Sequence, residues 1–379
     1  MKYLIAPDSY KGSLSALQVA QAMKRGVLKV DPHAIVNLLP MADGGEGTVE
    51  ALVEAVKGEM IHCQVTGPLG EPVSAFYGLF PEGKTAIIEM AAASGLPLVP
   101  KELRDPMLTT TFGTGELIRQ TLDRGCTRLI IGIGGSATND GGIGMAQALG
   151  YHFIDQNGEE IPFGGGSLYK IQTIDVKNRD PRLENVQVIV ACDVDTVLCG
   201  ERGASAVFAP QKGATSKIVG LLDQGLAHLA DKIKETLEMD VISMPGGGAA
   251  GGLGAGLVAF LGATLKSGIE IVMDECGFDQ FAQDADLVLT GEGNTDLQTV
   301  MGKTPVGVAK RAKQFQRPVI CLSGGLGDGY QEIYQHGIDA AFSIMPRPGT
   351  IEEAFEFGAI WIEEMVESVV RIFSINVGK

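Results

Sequence analysis

Both ends of the chain alternate a short apolar strand, a polar loop and an amphipathic helix, and the block between them breaks that alternation. Tyr3-Leu-Ile-Ala6 reads as a strand and residues 8–13 as a loop. Ser15-Ala-Leu-Gln18 is a capping box opening a helix whose apolar face is Leu17, Ala20, Met23, Val27 and Val30. A second strand over 34–40 and a helix over 48–57 follow, joined by Asp43-Gly-Gly-Glu-Gly47. This βαβα order builds a parallel sheet. It returns towards the carboxyl terminus, with strands over 286–290, 318–322 and 339–344 and helices over 306–312 and near 329–335. A long final helix through Trp361 and Val366 then opens on a second capping box, Thr350-x-x-Glu353.

In the middle block, His62–Thr66, Val73–Tyr77 and Thr85–Glu89 alternate apolar and polar residues between Gly-Pro and Pro-Glu-Gly turns, the pattern of antiparallel strands. Two further strands cover 129–133 and 186–191. The fold expected is α/β: a Rossmann-like, doubly wound parallel-sheet domain over 1–62 and 285–379, interrupted by a large inserted α/β domain over 63–284. A length of 379 residues exceeds what one core usually supports, which agrees with two domains.

Several function classes are disfavoured. Thirty basic against 46 acidic side chains, a net charge of −16, argue against a nucleic-acid partner. The six cysteines are scattered without a Cys-x-x-Cys pair, so reduced thiols and a cytoplasmic location are expected. The uncharged stretch Met244–Leu265 holds eight glycines and opens on Pro-Gly-Gly-Gly, which favours a buried glycine-rich loop leading into a helix over a membrane span. The five histidines have no metal-ligand spacing, and no G-x-S-x-G elbow appears. Gly302-Lys303-Thr304 ends like a Walker A loop, yet Leu297 stands where its first glycine belongs, so it is not one. Gly254-x-Gly256-x-x-Ala259 fits a loose dinucleotide fingerprint but reads better as close helix packing, which leaves an NAD-dependent oxidoreductase a distant alternative.

Ligands of open parallel sheets bind beyond the carboxyl ends of the strands. Asp8, Ser9 and Lys11 follow the first strand, Asp43 and Glu46 the second, and Glu292 and Asp296 the strand over 286–290. In the insert, Asp193 and Asp195 follow one strand, and Gly134-Gly-Ser-Ala-Thr-Asn-Asp-Gly-Gly142, an anion cradle of small residues, follows another. Each loop alone also suits helix capping or an Asx turn. Together they predict one acidic crevice, whose repelling carboxylates are tolerable around a divalent cation such as Mg²⁺ beside substrate phosphates. Cations in glycine- or proline-marked loops are Lys11, Arg104, Lys212, Lys303 and Arg347, with ordinary surface charge the competing reading, above all for Lys212 and Arg347.

Ala6-Pro-Asp-Ser-Tyr-Lys-Gly-Ser-Leu-Ser-Ala16, Pro40-Met-Ala-Asp-Gly-Gly-Glu-Gly-Thr48, Gly132-Ile-Gly-Gly-Ser-Ala-Thr-Asn-Asp-Gly-Gly142, Pro210-Gln-Lys-Gly-Ala214 and Thr290-Gly-Glu-Gly293 with Asp296, Gln298, Gly302 and Lys303 closely resemble the bacterial type-1 glycerate kinases, in the same order and over nearly the whole chain. Two departures stand out. Asp195-Thr196-Val197 after Cys192 lacks the Asn-Pro frequent there, and Asp105 replaces a frequent asparagine before Pro106. The resemblance implies ATP-dependent phosphorylation of D-glycerate, with the 2-hydroxyl favoured over the 3-hydroxyl, on a Rossmann-like domain with a large insert.

Phosphoryl transfer needs in-line positioning, charge neutralisation and a group to accept the hydroxyl proton. On that reading Lys11 and Lys303 meet phosphates or the glycerate carboxylate, and Asp8, Asp43, Glu46 and Glu292 are Mg²⁺ candidates. Asp296 is the first choice of base, with Asp193 its rival. Gly134, Gly135, Ser136, Asn139 and Asp140 take nucleotide phosphates, and Asp8, Ser9, Arg104 and Lys212 also serve substrate or phosphate binding. The expected partners are D-glycerate and ATP, with no nucleic acid and no membrane, and a homo-oligomer is allowed. A non-catalytic anion or nucleotide binder on the same fold is the other alternative.

Overall fold

A computed structural model of the chain describes residues 1–42 and 48–377. Its strands in chain order are β1 (Lys2–Ile5), β2 (Ile35–Leu38), β3 (Glu59–Thr66), β4 (Pro72–Leu79), β5 (Thr85–Glu89), β6 (Arg128–Gly132), β7 (His152–Ile154), β8 (Thr173–Asp175), β9 (Gln187–Ala191), β10 (Thr264–Lys266), β11 (Leu287–Thr295), β12 (Val319–Leu326) and β13 (Ala340–Ser343). The longer helices are α1 (Ala16–Val30), α2 (Thr48–Val56), α3 (Phe112–Asp123), α4 (Ser216–Leu237), α5 (Ala249–Leu261), α6 (Thr304–Gln314) and α7 (Ile351–Val377).

Contacts divide the chain into two compact units, Met1–Asp43 with Ile269–Lys379, and Gly44–Gly268. Both divisions fall earlier than the expected 62/63 and 284/285. Helix α2 buries Val49 and Val53, and a Cβ added to Gly78 of β4 would stand 2.2 Å from a Val53 methyl. Strand β3 pairs with β4 along its whole length, from Glu59↔Leu79 to Thr66↔Pro72. At the other division, Ile269 packs on Gly307 of α6, where a Cβ would meet its side chain at 2.7 Å.

The first unit is a five-stranded sheet in the order β13-β12-β11-β1-β2, and every pair in it is parallel. Counted along this unit alone, the order is 2-1-3-4-5, a doubly wound arrangement whose connections change direction between its first and third strands, β1 and β11. Alternate residues divide the two faces. Tyr3, Ile5, Leu287, Leu289 and Leu322 pack with Met23 and Val27 of α1 and Ile362, Val366 and Val370 of α7. Each such side chain fully buried contributes about 1.5–3 kcal/mol. Gly26 lets the two helices touch, since a Cβ there would lie 2.7 Å from that of Val366. Both capping boxes form: Ser15 Oγ accepts from Gln18 N and Gln18 Oε1 from Ser15 N, and Thr350 and Glu353 do the same.

The second unit holds a six-stranded sheet, β10-β9-β6-β5-β4-β3. It is antiparallel through β3, β4 and β5, as the alternation predicts, and parallel from β5 to β10. Val49 N, in the first turn of α2, donates to Glu89 Oε1 at the end of β5 (3.1 Å). Within Met244–Leu265, α5 is buried and begins through left-handed Ala250, Gly251 and Gly252. Gly254 and Gly256 are packing glycines: Cβ atoms there would meet the carbonyls of Gly246 and Gly141 at 2.3 and 2.4 Å. Among the described residues no helix is long and apolar enough to cross a membrane.

Candidate active site

The segment over 291–295, expected as a loop, is strand. β11 continues through Thr295 and stays in register with β12 as far as Thr295↔Leu326. Glycine makes this extension feasible, because a Cβ on Gly291 would fall 1.8 Å from Leu322 O and one on Gly324 would fall 2.5 Å from Gly293 O. The helix expected near 329–335 is a 3-10 segment, Tyr330–His336.

At the carboxyl ends of β1 and β11, where the sheet changes direction, the first unit has a cavity of about 630 Å³ lined in part by Asp8, Ser9, Lys11, Glu292, Asp296 and Lys303. β1 delivers its loop by prolonging its ladder: Ala6 N donates to Leu289 O and Asp8 N to Gly291 O, each at 2.8 Å. Tyr10 fastens the turn, with its buried hydroxyl donating to Leu322 O at 2.8 Å. Gly12 closes it with φ +82°, a backbone state that glycine adopts without strain.

Two carboxylates here are buried. Asp8 accepts from Ser9 N at 2.6 Å and from Thr304 Oγ1 at 2.8 Å. Glu292 Oε1 accepts from the hydroxyls of Thr299 (2.6 Å) and Thr295 (3.1 Å). Burial pushes the Glu292 carboxyl above its ordinary range; the Thr299 hydroxyl, the Lys303 charge and the Thr295 hydroxyl oppose that shift, and the charge of Asp8 adds to it. Lys303 Nζ lies 3.9 Å from Glu292 Oε2 and 4.0 Å from Asp296 Oδ1.

Asp296 caps a 3-10 turn, Leu297–Met301, accepting from Gln298 N at 2.9 Å. Its other oxygen accepts from Asn294 Nδ2 at 3.0 Å. The turn ends on Gly302 at φ +102°, and Lys303 is the N-cap residue of α6. The apparent Walker ending is therefore a junction between two helical segments, whose lysine stands beside two carboxylates and whose threonine holds a third. The threonines were not singled out in the sequence. Thr304 had a visible signal, its place at a helix start, whereas Thr295 and Thr299 reach Glu292 only because β11 and the turn after it bring them there.

Asp193, Arg104, Lys212 and the loop 134–142 belong to the second unit. Asp193 is exposed and accepts from Gly268 N at 3.0 Å. Arg104 is half-buried, with its Nε donating to Val99 O at 3.4 Å. Loop 134–142 differs from an open cradle, for only Gly134 and Gly135 are exposed. Asp140, wholly buried, accepts from Thr111 N and Thr111 Oγ1 (2.8 Å each) and from Gly142 N (3.1 Å). Asn139 donates to Ser205 Oγ at 3.1 Å. Lys212, 1% exposed, donates to Ser136 Oγ (2.7 Å) and Thr138 O (2.6 Å). These side chains brace the loop from within, so Lys212 is no surface cation. Asp43 and Glu46 lie outside the described residues.

No group of three metal-ligating side chains converges among the described residues. Asp8 and Glu292 nevertheless offer hard oxygens in one cavity, and Mg²⁺ commonly takes one or two carboxylates together with substrate phosphates. The donor set fits that ion.

A doubly wound sheet with two lysines set among carboxylates over its switch point defines an α/β protein equipped for a polyanionic ligand. The glycerate kinase family profile matches residues 3–374. The chain is 56% identical to the glycerate 2-kinase of Escherichia coli, covering 94% of this chain and 93% of that one. It is 55% identical to the glycerate kinase of Bacillus subtilis, covering 97% of each. A crystal structure described as a putative glycerate kinase 2 from Salmonella typhimurium LT2 superposes with a TM-score of 0.92 at 50% identity, covering 100% of both chains. The chain belongs to the glycerate kinase family, and is accordingly a phosphotransferase with an alcohol group as acceptor and ATP as co-substrate. Neither the dehydrogenase nor the non-catalytic reading finds support in these relatives.

Proposed function

We propose that the chain phosphorylates D-glycerate at its 2-hydroxyl, using ATP with Mg²⁺ and yielding 2-phosphoglycerate in the cytoplasm. The observation that carries this reading is the pairing of Lys11 and Lys303 with Asp8, Glu292 and Asp296 in one cavity, in a chain 56% identical to a protein named glycerate 2-kinase. A −16 chain repels anionic substrates at long range, so local cations and a bound divalent ion must offset their charge.

Lys11 and Lys303 neutralise phosphate or carboxylate oxygens of the substrates. Asp8 and Glu292 hold Mg²⁺, with Asp43 and Glu46 as further candidates; the ion, when bound, screens charge on the phosphate oxygens. Asp296 accepts the proton of the attacking hydroxyl. Its cap and amide contacts fix the carboxylate, and Lys303 Nζ stands 4.0 Å from it. Asp193 is the second candidate for that role. Ser9 contacts substrate oxygens; in the second unit, Arg104 and the exposed backbone of Gly134 and Gly135 offer donors to an anion.

ADP release on adding D-glycerate to the chain with ATP and Mg²⁺, followed by phosphorus NMR of the product, tests this. A phosphate on the secondary carbon is expected. A phosphate on the primary carbon would move the reaction to the 3-hydroxyl, and no ADP release would remove the kinase reading.

A further inference from the structure

The cavity of the first unit has two unlike parts, and the roles above use only one. The other is lined by Ile344, Met345, Ile351, Ala354 and Phe355. Ile351 and Phe355 stand four residues apart in the first turns of α7 and therefore share a helix face. They are 64% and 47% exposed, although a surface helix normally turns polar side chains to water. The loop carrying Lys11 passes beside the Phe355 ring: a Cβ on Gly12 would lie 3.6 Å from it. Gly293, Gly324 and Gly325 also line the cavity, presenting bare backbone that a flat ligand can approach closely.

We infer that this apolar lining receives the purine base of the nucleotide, with Phe355 as its main contact and the phosphates running towards Lys11 and Lys303. The ligand's identity rests on the kinase reading. D-glycerate has an oxygen on every carbon and no apolar face to cover Ile351 and Phe355. A nucleotide has both ends that the cavity asks for, a π face and a polyanion. The volume of about 630 Å³ also lies within the roughly 300–1,000 Å³ usual for small-molecule sites. This moves the nucleotide from loop 134–142, where the sequence had suggested it, to the switch point of the first unit.

Equilibrium binding of ADP and of inorganic tripolyphosphate, which has no base, tests the assignment on the full chain. Phe355→Ala should weaken ADP about tenfold while tripolyphosphate changes less than about twofold, as expected where a base stacks on an aromatic ring. Phe355→Tyr should restore ADP binding. In turnover, KM for ATP should rise and KM for D-glycerate stay unchanged. ADP binding unaffected by Phe355→Ala, or ADP and tripolyphosphate weakened in parallel, would overturn the inference, as would a rise confined to the KM for D-glycerate. Ile351→Ser, at a more exposed position, provides a second variant with the same expected pattern. ADP binding requires no turnover, so a failure of the unaltered chain to phosphorylate D-glycerate would count against the kinase reading alone.

Discussion

Thr304 Oγ1 donates to Asp8 Oδ2 at 2.8 Å in a buried hydrogen bond spanning 296 positions of sequence. It ties the loop after β1 to the start of α6, so the side chain that holds Asp8 comes from the far part of a unit whose chain is interrupted by 44–268.

Thr304→Val should therefore cost about 1–3 kcal/mol, the usual penalty for removing a partner from a buried polar group. Thr304→Ser should recover most of it. Denaturant unfolding measures the stability, and steady-state kinetics should show activity falling in the valine variant and returning in the serine one.

Asp296→Asn separates two roles. Asparagine caps a helical turn as well as aspartate does, so the melting temperature should hardly move. Loss of a general base should lower turnover with ATP, Mg²⁺ and D-glycerate by about 10²–10⁴. Turnover within about tenfold of the unaltered chain, well short of that range, would reassign the base, with Asp193→Asn the next variant to assay.

Glu292 makes the ligand-free chain sensitive to pH. Its carboxyl is raised above the ordinary 4.5 by burial first, with Asp8 adding to the shift. The folded state thus holds the proton to higher pH than the unfolded state does. The contribution of Glu292 to stability is full below 4.5 and is lost as pH rises through the folded value. Melting curves of Glu292→Gln and the unaltered chain across mildly acid to neutral pH should diverge, the variant lacking this decline. Parallel curves would contradict it.

Lys212 gives the opposite sign. Burial lowers its ammonium from 10.5 to about 7, against the pull of Asp140. The unfolded chain holds the proton over that interval and the folded chain gives it up, so stability rises with pH from about 7 towards 10.5. Lys212→Met should lower stability overall, because Ser136 Oγ and Thr138 O lose their donor, and should flatten this rise. A rise as steep in the variant as in the unaltered chain would exclude Lys212 as its source.

Local chemistry written into short stretches was legible before any coordinates. Ser15 with Gln18, and Thr350 with Glu353, announce helix starts because a hydroxyl and a long polar side chain three residues apart satisfy the same orphan N–H groups wherever they occur. The strand after Pro72 and its partners follow from alternation alone, and the motifs from Ala6 to Lys303 carry the family. Three things were not legible in this way. β11 runs on past Gly291 because β12 lies close enough there to exclude a side chain, a fact held by the neighbour. Lys212 and Asp140 read as ligand contacts in one dimension and in the fold are buried and hydrogen-bonded to backbone and hydroxyls around them, since burial depends on what the rest of the chain covers. The apolar lining at Ile351 and Phe355 looks like an ordinary helix face until the fold sets it beside Lys11. Sequence by itself determined the reaction class and the alternation of the sheets, through periodicity and motif order. Only the tertiary structure decided which charged groups face a cavity and which are sealed from water, because solvation belongs to the packed neighbourhood of a residue and not to its place in the chain.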